Sequence, residues 1–215
     1  EKGPGKALFD AVENELGEVP IVAEDLGVFG EDVVKLLEDT KFPGMRVIQF
    51  GFEPDADSTH LPHNYPRNCL AYVGTHDNNT LLAWLWEADD YHRRYALDYC
   101  GFTGDNWGEG GFHSPSCRKI IETVWRSHAA VAIISYQDLC GFGSAARMNV
   151  PGRAFGTWQF RTTEDMIAQI DTEYYKKINR IFKRQKECSK WRKSLTDYIY
   201  PKIKFRRNGI TCAPI

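Results

Sequence analysis

The sequence predicts an α/β fold on a parallel sheet, its four strand units amounting to half of a (β/α)₈ barrel. Three observations point this way. Short apolar runs at residues 21–26, 45–50, 70–73 and 129–136 have the length of strands, and helical patterns fill the first and third of the intervals between them. Each interval is long enough to hold a crossover helix, which joins strands in parallel and with right-handed connections. Three of the four runs also lead into an acid, Glu24, Asp77 and Asp138, at the end where α/β barrels assemble their chemistry. The chain has 215 residues, short of the roughly 250 of a complete barrel. An open doubly wound sheet fits the same alternation, but no Gly-rich phosphate loop follows any strand, so its dinucleotide-binding version lacks the chemistry it needs.

The elements follow in order. Leu8, Val12 and Leu16 recur at a spacing of four, a helical stripe that Gly17 and Pro20 end. The strand at 21–26 comes next. Gly30-Glu31-Asp32 then opens a second helix with acids in its first turn, offering Val33, Val34, Leu36 and Leu37 to a core. Phe42-Pro43-Gly44 is a turn into the second strand. The stretch 51–67 carries Pro54, Pro62 and Pro66 and reads as loop. His60 and His63 lie in it, but a metal site there would lack a third ligand. After the third strand, Asn79 and Thr80 can cap a helix with Leu81, Leu82, Trp84, Leu85 and Trp86; the two tryptophans cannot share one face. A Gly-rich segment, 101–111, precedes a helix starting near Ser114 or Ser116. The fourth run, 129–136, is apolar enough to be covered on both faces. Residues 141–161 form an irregular loop, and Thr162 with Asp165 marks the start of a helix reaching Phe182. We therefore expect a core unit over 1–182 and a basic tail over 183–215, where ten Lys/Arg face two acids.

Composition narrows the function classes. Net charge is −2, with 42% apolar and 26% charged residues. Nothing global recruits nucleic acid or an acidic membrane. Six cysteines are scattered without a C-x-x-C, which favours reduced thiols and a cytoplasmic setting. No signal peptide and no apolar run near 18 residues is present.

Two carboxylates brought together at strand ends suggest carbohydrate chemistry. The motifs sharpen this. Ala23-Glu24-Asp25-Leu26-Gly27, Phe42-Pro43-Gly44-Met45, Leu61-Pro62-His63-Asn64-Tyr65-Pro66-Arg67-Asn68, Gly74-Thr75-His76-Asp77-Asn78 and Ala146-Arg147-Met148-Asn149-Val150-Pro151-Gly152 occur in that order. Together they resemble the C-terminal half of the 4-α-glucanotransferases (amylomaltases), glycoside hydrolase family 77 of the α-amylase superfamily. The resemblance covers residues 1–182 and implies strands five to eight of the barrel. It implies retaining transfer of an α-1,4-glucan segment to glucose or another glucan, without metal or organic cofactor. By motif position Glu24 would be the acid/base and Asp77 the stabilising carboxylate. His76 would bind a sugar hydroxyl, and Asn149 and Pro151 would line the glucan groove. The family's nucleophilic Asp belongs upstream of Glu24, and Asp10, inside an apparent helix, cannot replace it. The 215 residues alone are therefore expected to be inactive.

Each assignment has a blander counterpart. Glu24 could be an ion-paired strand terminus, although Ile21, Val22 and Leu26 offer the apolar surroundings that favour a general acid. Asp77 could be a helix N-cap. Asp25 fits substrate binding or the fixing of a backbone turn. Arg147 fits a pairing with backbone carbonyls near Asn149. An α-amylase-like hydrolase and a non-catalytic glucan-binding fragment are the alternative functions.

Overall fold

A computed structural model describes residues 3–27 and 30–184. The expectations for the basic tail beyond Arg184 lie outside the described residues.

Helix α1, Lys6–Leu16, runs between two glycines at positive φ, Gly5 and Gly17. Its stripe is helical as expected but buries nothing: Leu8 is 50% exposed and Leu16 71%. Asp10 pairs with Lys6 along this helix. Residues 21–26 have no regular secondary structure and form no ladder strand; Ala23 N–H donates to the Pro43 carbonyl at 2.9 Å. The expected first strand is instead an irregular segment fastened to β1 through Asp25. Helix α2, Glu31–Thr40, packs against α1 and ends at Lys41 in the left-handed conformation.

Three strands form one parallel sheet in sequence order: β1 Gly44–Val47, β2 Cys69–Tyr72 and β3 Val131–Ile133. None of the three reaches the full extent of its apolar run at the C-terminal end. After Val47 the chain enters a 3₁₀ turn, Ile48–Phe50, and after Ile133 it leaves the ladder to start a short helix at Tyr136. β3 is also more exposed than expected, with Ile133 exposed, because this edge is not covered on both faces.

Side-chain alternation divides the sheet. Cys69, Ala71 and Val73 on one face join the main core with Leu81, Leu85, Ile120, Ile121 and Val124. Each of the two isoleucines is fully buried, a burial that contributes about 1.5–3 kcal/mol per side chain. Met45, Tyr72 and Ile133 line a cleft.

The crossover between β2 and β3 holds three helices. α3, Leu81–Glu87, is capped by Thr80, whose hydroxyl accepts from Ala83 N–H. α4, Asp90–Tyr99, has no counterpart among the expected elements. Ala88 turns extended and Asp89 caps the new helix, accepting from Tyr91 and His92 N–H at 3.0 Å. The Asp89-Asp90 pair is the signal in the sequence for that helix start. α5, Pro115–Trp125, begins after Ser114 with proline in its first turn. The Trp pair separates as helix geometry requires: Trp84 packs on Phe52 at 5.4 Å, whereas Trp86 is exposed and donates to the Gly108 carbonyl at 3.0 Å.

Beyond β3 lies α6, Tyr136–Leu139, and the expected helix from Thr162 to Phe182 is two helices. Thr163 caps α7, Glu164–Ala168, and Asp171 caps α8, Thr172–Ile181. The break arises because Asp171 accepts from Tyr174 N–H at 3.1 Å, starting a second helix, while Arg118 anchors the same carboxylate at 2.5 Å. The Cys69, Cys100, Cys117 and Cys140 thiols are free and buried. Among the described residues, no helix is long and apolar enough to cross a membrane.

Candidate active site

The C-terminal ends of the parallel strands open into a cleft of about 840 Å³, whose lining includes Glu24, His60, Tyr72, His76, Asp77 and Asp138. Pro151 reaches the same wall. The cleft draws on chain segments more than a hundred residues apart, which only the parallel crossovers bring together.

Glu24 and Asp25 turn to opposite sides of the segment. Asp25 turns inward, its side chain 8% exposed, and accepts from Met45 N–H at 2.5 Å and from Arg46 Nη1 at 2.7 Å. Gly44 leaves the necessary space, since a Cβ there would overlap the Asp25 carboxylate. Asp25 therefore ties the segment to β1, and it does not belong to the cleft lining. Glu24 and Leu26 face the other way, into the cleft. The apolar enclosure expected around Glu24 is thin: Glu24 itself is exposed, as is Val22.

Asp77 stands on a tight turn just beyond β2. Asn78 closes that turn, its side-chain oxygen accepting from Thr75 N–H at 2.8 Å and Thr75 Oγ1 at 2.9 Å. Thr75 Oγ1 in turn accepts from Asp77 N–H at 3.3 Å. Gly74 sits where a Cβ would be tight, meeting Gln49 Nε2 at 3.1 Å and Asn78 Cβ at 3.2 Å. The helix cap is Thr80, so Asp77 is not an N-cap and its carboxylate is available for other work.

Several contacts hold that carboxylate and its neighbour. Asn149 Nδ2 donates to Asp77 Oδ1 at 2.5 Å, and His76 Nε2 lies 3.4 Å from the same oxygen. Asn149 N–H donates to the His76 carbonyl at 3.0 Å. Arg147 forks between the carbonyls of Asn149 at 2.7 Å and Asp77 at 2.8 Å. Asn149 thus touches Asp77 directly, and Arg147 braces the backbone of both.

Two cleft residues carried weak or misread signals in the sequence. His60 accepts from Val47 N–H through Nδ1 at 3.1 Å, so its neutral form carries the proton on Nε2. Burial and then nearby Arg46 lower its pKa, which keeps it neutral. Asp138, 3% exposed, accepts from Leu81 N–H at 2.7 Å and so satisfies the start of α3. Burial raises its carboxyl to about 6, against the hydrogen bonds from Leu81 and Ser135 that pull it down. Among the described residues, no group of three His, Cys, Asp or Glu could hold a metal ion.

Comparison with known proteins gives one answer. The sequence profile of glycoside hydrolase family 77, described as 4-alpha-glucanotransferase, matches residues 1–167. A 4-alpha-glucanotransferase of Streptococcus pneumoniae is 42% identical over 187 residues, covering 86% of this chain and 35% of its own. The chloroplastic/amyloplastic 4-alpha-glucanotransferase of Arabidopsis thaliana is 41% identical over 162 residues, covering 74% and 26%. Among solved structures, amylomaltase from Streptococcus agalactiae in complex with acarbose superposes with a TM-score of 0.78 at 31% identity, over 86% of this chain and 36% of that one. The chain spans about a quarter to a third of the length of these relatives. Over that span, it belongs to the 4-alpha-glucanotransferase family, glycoside hydrolase family 77.

Proposed function

We propose that this chain supplies the acid/base side of a cytoplasmic 4-α-glucanotransferase site, within strands five to eight of a (β/α)₈ barrel. The observation that carries the reading is the shared cleft: Glu24 and Asp77, 53 positions apart in the sequence, line one cavity at the C-terminal ends of parallel strands. The exposed stripe of α1 and the exposed face of β3 are consistent with a larger barrel around them.

In this reading Glu24 protonates the leaving glycosidic oxygen and then takes the proton from the acceptor hydroxyl of glucose or another glucan. Its exposure on the cleft wall suits a group that must reach both oxygens in turn. Asp77 lies beside the anomeric carbon and stabilises the positive charge of the oxocarbenium-like transition state. Asn149 keeps that carboxylate oriented, and His76 binds a sugar hydroxyl next to it. Pro151 forms part of the groove wall. The nucleophilic carboxylate comes from outside these 215 residues, so the chain on its own does not turn over glucan.

The test is Glu24→Gln in a polypeptide that carries the complete site, assayed by disproportionation of maltotriose. Loss of a general acid/base lowers the rate by about 10²–10⁴-fold. An unchanged rate would reject the assignment. Transfer leaves the number of reducing ends constant; a steady increase would establish hydrolysis instead.

A further inference from the structure

Three non-glycine residues among those described have positive φ: Lys41, Trp158 and Lys183. Lys41 is the C-cap of α2, and Lys183 follows the C-terminal end of α8. Left-handed residues are common at helix ends. Trp158, at φ 62, ends no helix. A bulky side chain in that conformation is costly and persists only where its surroundings enforce it. They do so here: Trp158 N–H donates to the Met148 carbonyl at 2.6 Å, and Arg161 Nη1 donates to the Trp158 carbonyl at 2.8 Å.

What the strained backbone achieves is the placement of an indole. The Trp158 ring lies 5.1 Å from the His76 imidazole, centroid to centroid, with the planes tilted by 36°. It remains 49% exposed, so burial of the indole does not account for the placement. His76 is consequently held at three points: its carbonyl by Asn149 N–H, its Nε2 edge by Asp77 Oδ1, and its ring by Trp158. The first two leave the imidazole free to swing about its χ angles, because one grips only the backbone and the other is a long contact to one edge.

We infer that Trp158 is a positioning residue that fixes the ring plane of His76 on the cleft wall. Its left-handed backbone is retained because it delivers the indole there. The inference rests on the proposed glucan site only for its consequence, that a correctly oriented His76 improves sugar binding. An aromatic pair of this kind supports about a two- to tenfold difference in affinity.

The experiment uses the 215-residue chain with ¹³C-labelled histidine rings. Wild type, Trp158→Ala, Trp158→Phe and Trp158→Gly are compared by NMR without sugar and then titrated with maltotriose. Without sugar, the His76 ring protons should show a ring-current shift that disappears in the Ala and Gly variants and survives in the Phe variant. Trp158→Gly relieves the backbone strain, so its thermal midpoint should match or exceed the wild type while the His76 signature is still lost. That combination separates positioning from a merely structural role. His76 shifts identical in wild type and Trp158→Ala would overturn the inference, whatever happens to sugar affinity. A ring-current signature that is lost in the Ala and Gly variants supports the clamp whether or not maltotriose shifts any resonance, because the glucan reading is tested separately by Glu24→Gln in the complete site.

Discussion

Replacing Asp138 with asparagine separates the two things this buried acid does. Its carboxylate satisfies the Leu81 N–H at the start of α3, and it holds a charge where water hardly reaches. The folded-state pKa is raised from 3.8 to about 6. Between those values the folded chain keeps a proton that the unfolded chain has released, so unfolding releases a proton. This group's contribution to stability is therefore greatest at and below pH 4, declines as pH rises toward 6, and is flat above it. A rise of that size corresponds to about 3 kcal/mol across the window. The amide oxygen of an asparagine would still accept from Leu81 but could not titrate, so the slope should vanish in Asp138→Asn. Asp138→Ala, by contrast, strands a buried N–H and costs about 1–3 kcal/mol at every pH. Urea unfolding of the three proteins from pH 4 to 7.5 decides the matter. Parallel stability–pH profiles for wild type and Asp138→Asn would refute the reasoning.

Two further predictions concern Asp77, which lines the cleft, and Asp25, which does not. Removing the Asn149 amide by Asn149→Ala deletes a charge-assisted hydrogen bond to Asp77, a class of interaction contributing about 1.5–3 kcal/mol. If that orientation is used in the transition state, kcat for maltotriose disproportionation by the complete site should fall about 10- to 150-fold with a small change in KM. A change confined to KM would argue that Asn149 acts on the sugar instead. Asp25→Ala leaves the half-buried Arg46 without its partner, and breaking a buried pair costs about 3–5 kcal/mol. Chemical denaturation should register that loss, whereas a loss below about 1 kcal/mol, the size of an exposed pair, would show that the clamp between residues 21–26 and β1 is not what holds the segment.

The legible and illegible parts of this chain differ for physical reasons. Parallel connectivity can be read because apolar runs of strand length and helical stripes obey different periods, and those periods survive in sequence. Strand lengths cannot: the runs stay largely apolar past Val47 and Ile133, yet the regular ladder stops there, with Gln49 N–H still reaching the Val73 carbonyl at 3.4 Å from within the 3₁₀ turn. The site divides in the same manner. Motif order points to Glu24, Asp77, His76 and Pro151, all of which line one cleft. It groups Asp25 with them because adjacent residues share a motif, whereas Glu24 and Asp25 turn to opposite sides of the segment. Period-two reasoning applied to 21–26 would exclude one of the two acids, although only Gly44, with its missing Cβ, reveals which of them turns inward.

The loop after β3 shows where sequence reasoning stops. Arg147 and Asn149 have recognisable motif neighbours, and pairing of Arg147 with backbone carbonyls is foreseeable from its chemistry. That the Arg147 fork also reaches Asp77, seventy residues earlier, depends on the crossover that lays one loop against the other. Trp158 gives no signal at all, because a left-handed φ at tryptophan contradicts its intrinsic preference. Local preference fails at such a position because tertiary contacts override it, and here they are the Met148 carbonyl, Arg161 and the His76 ring. The residue that the sequence argues against most strongly is therefore the one whose placement most needs a purpose.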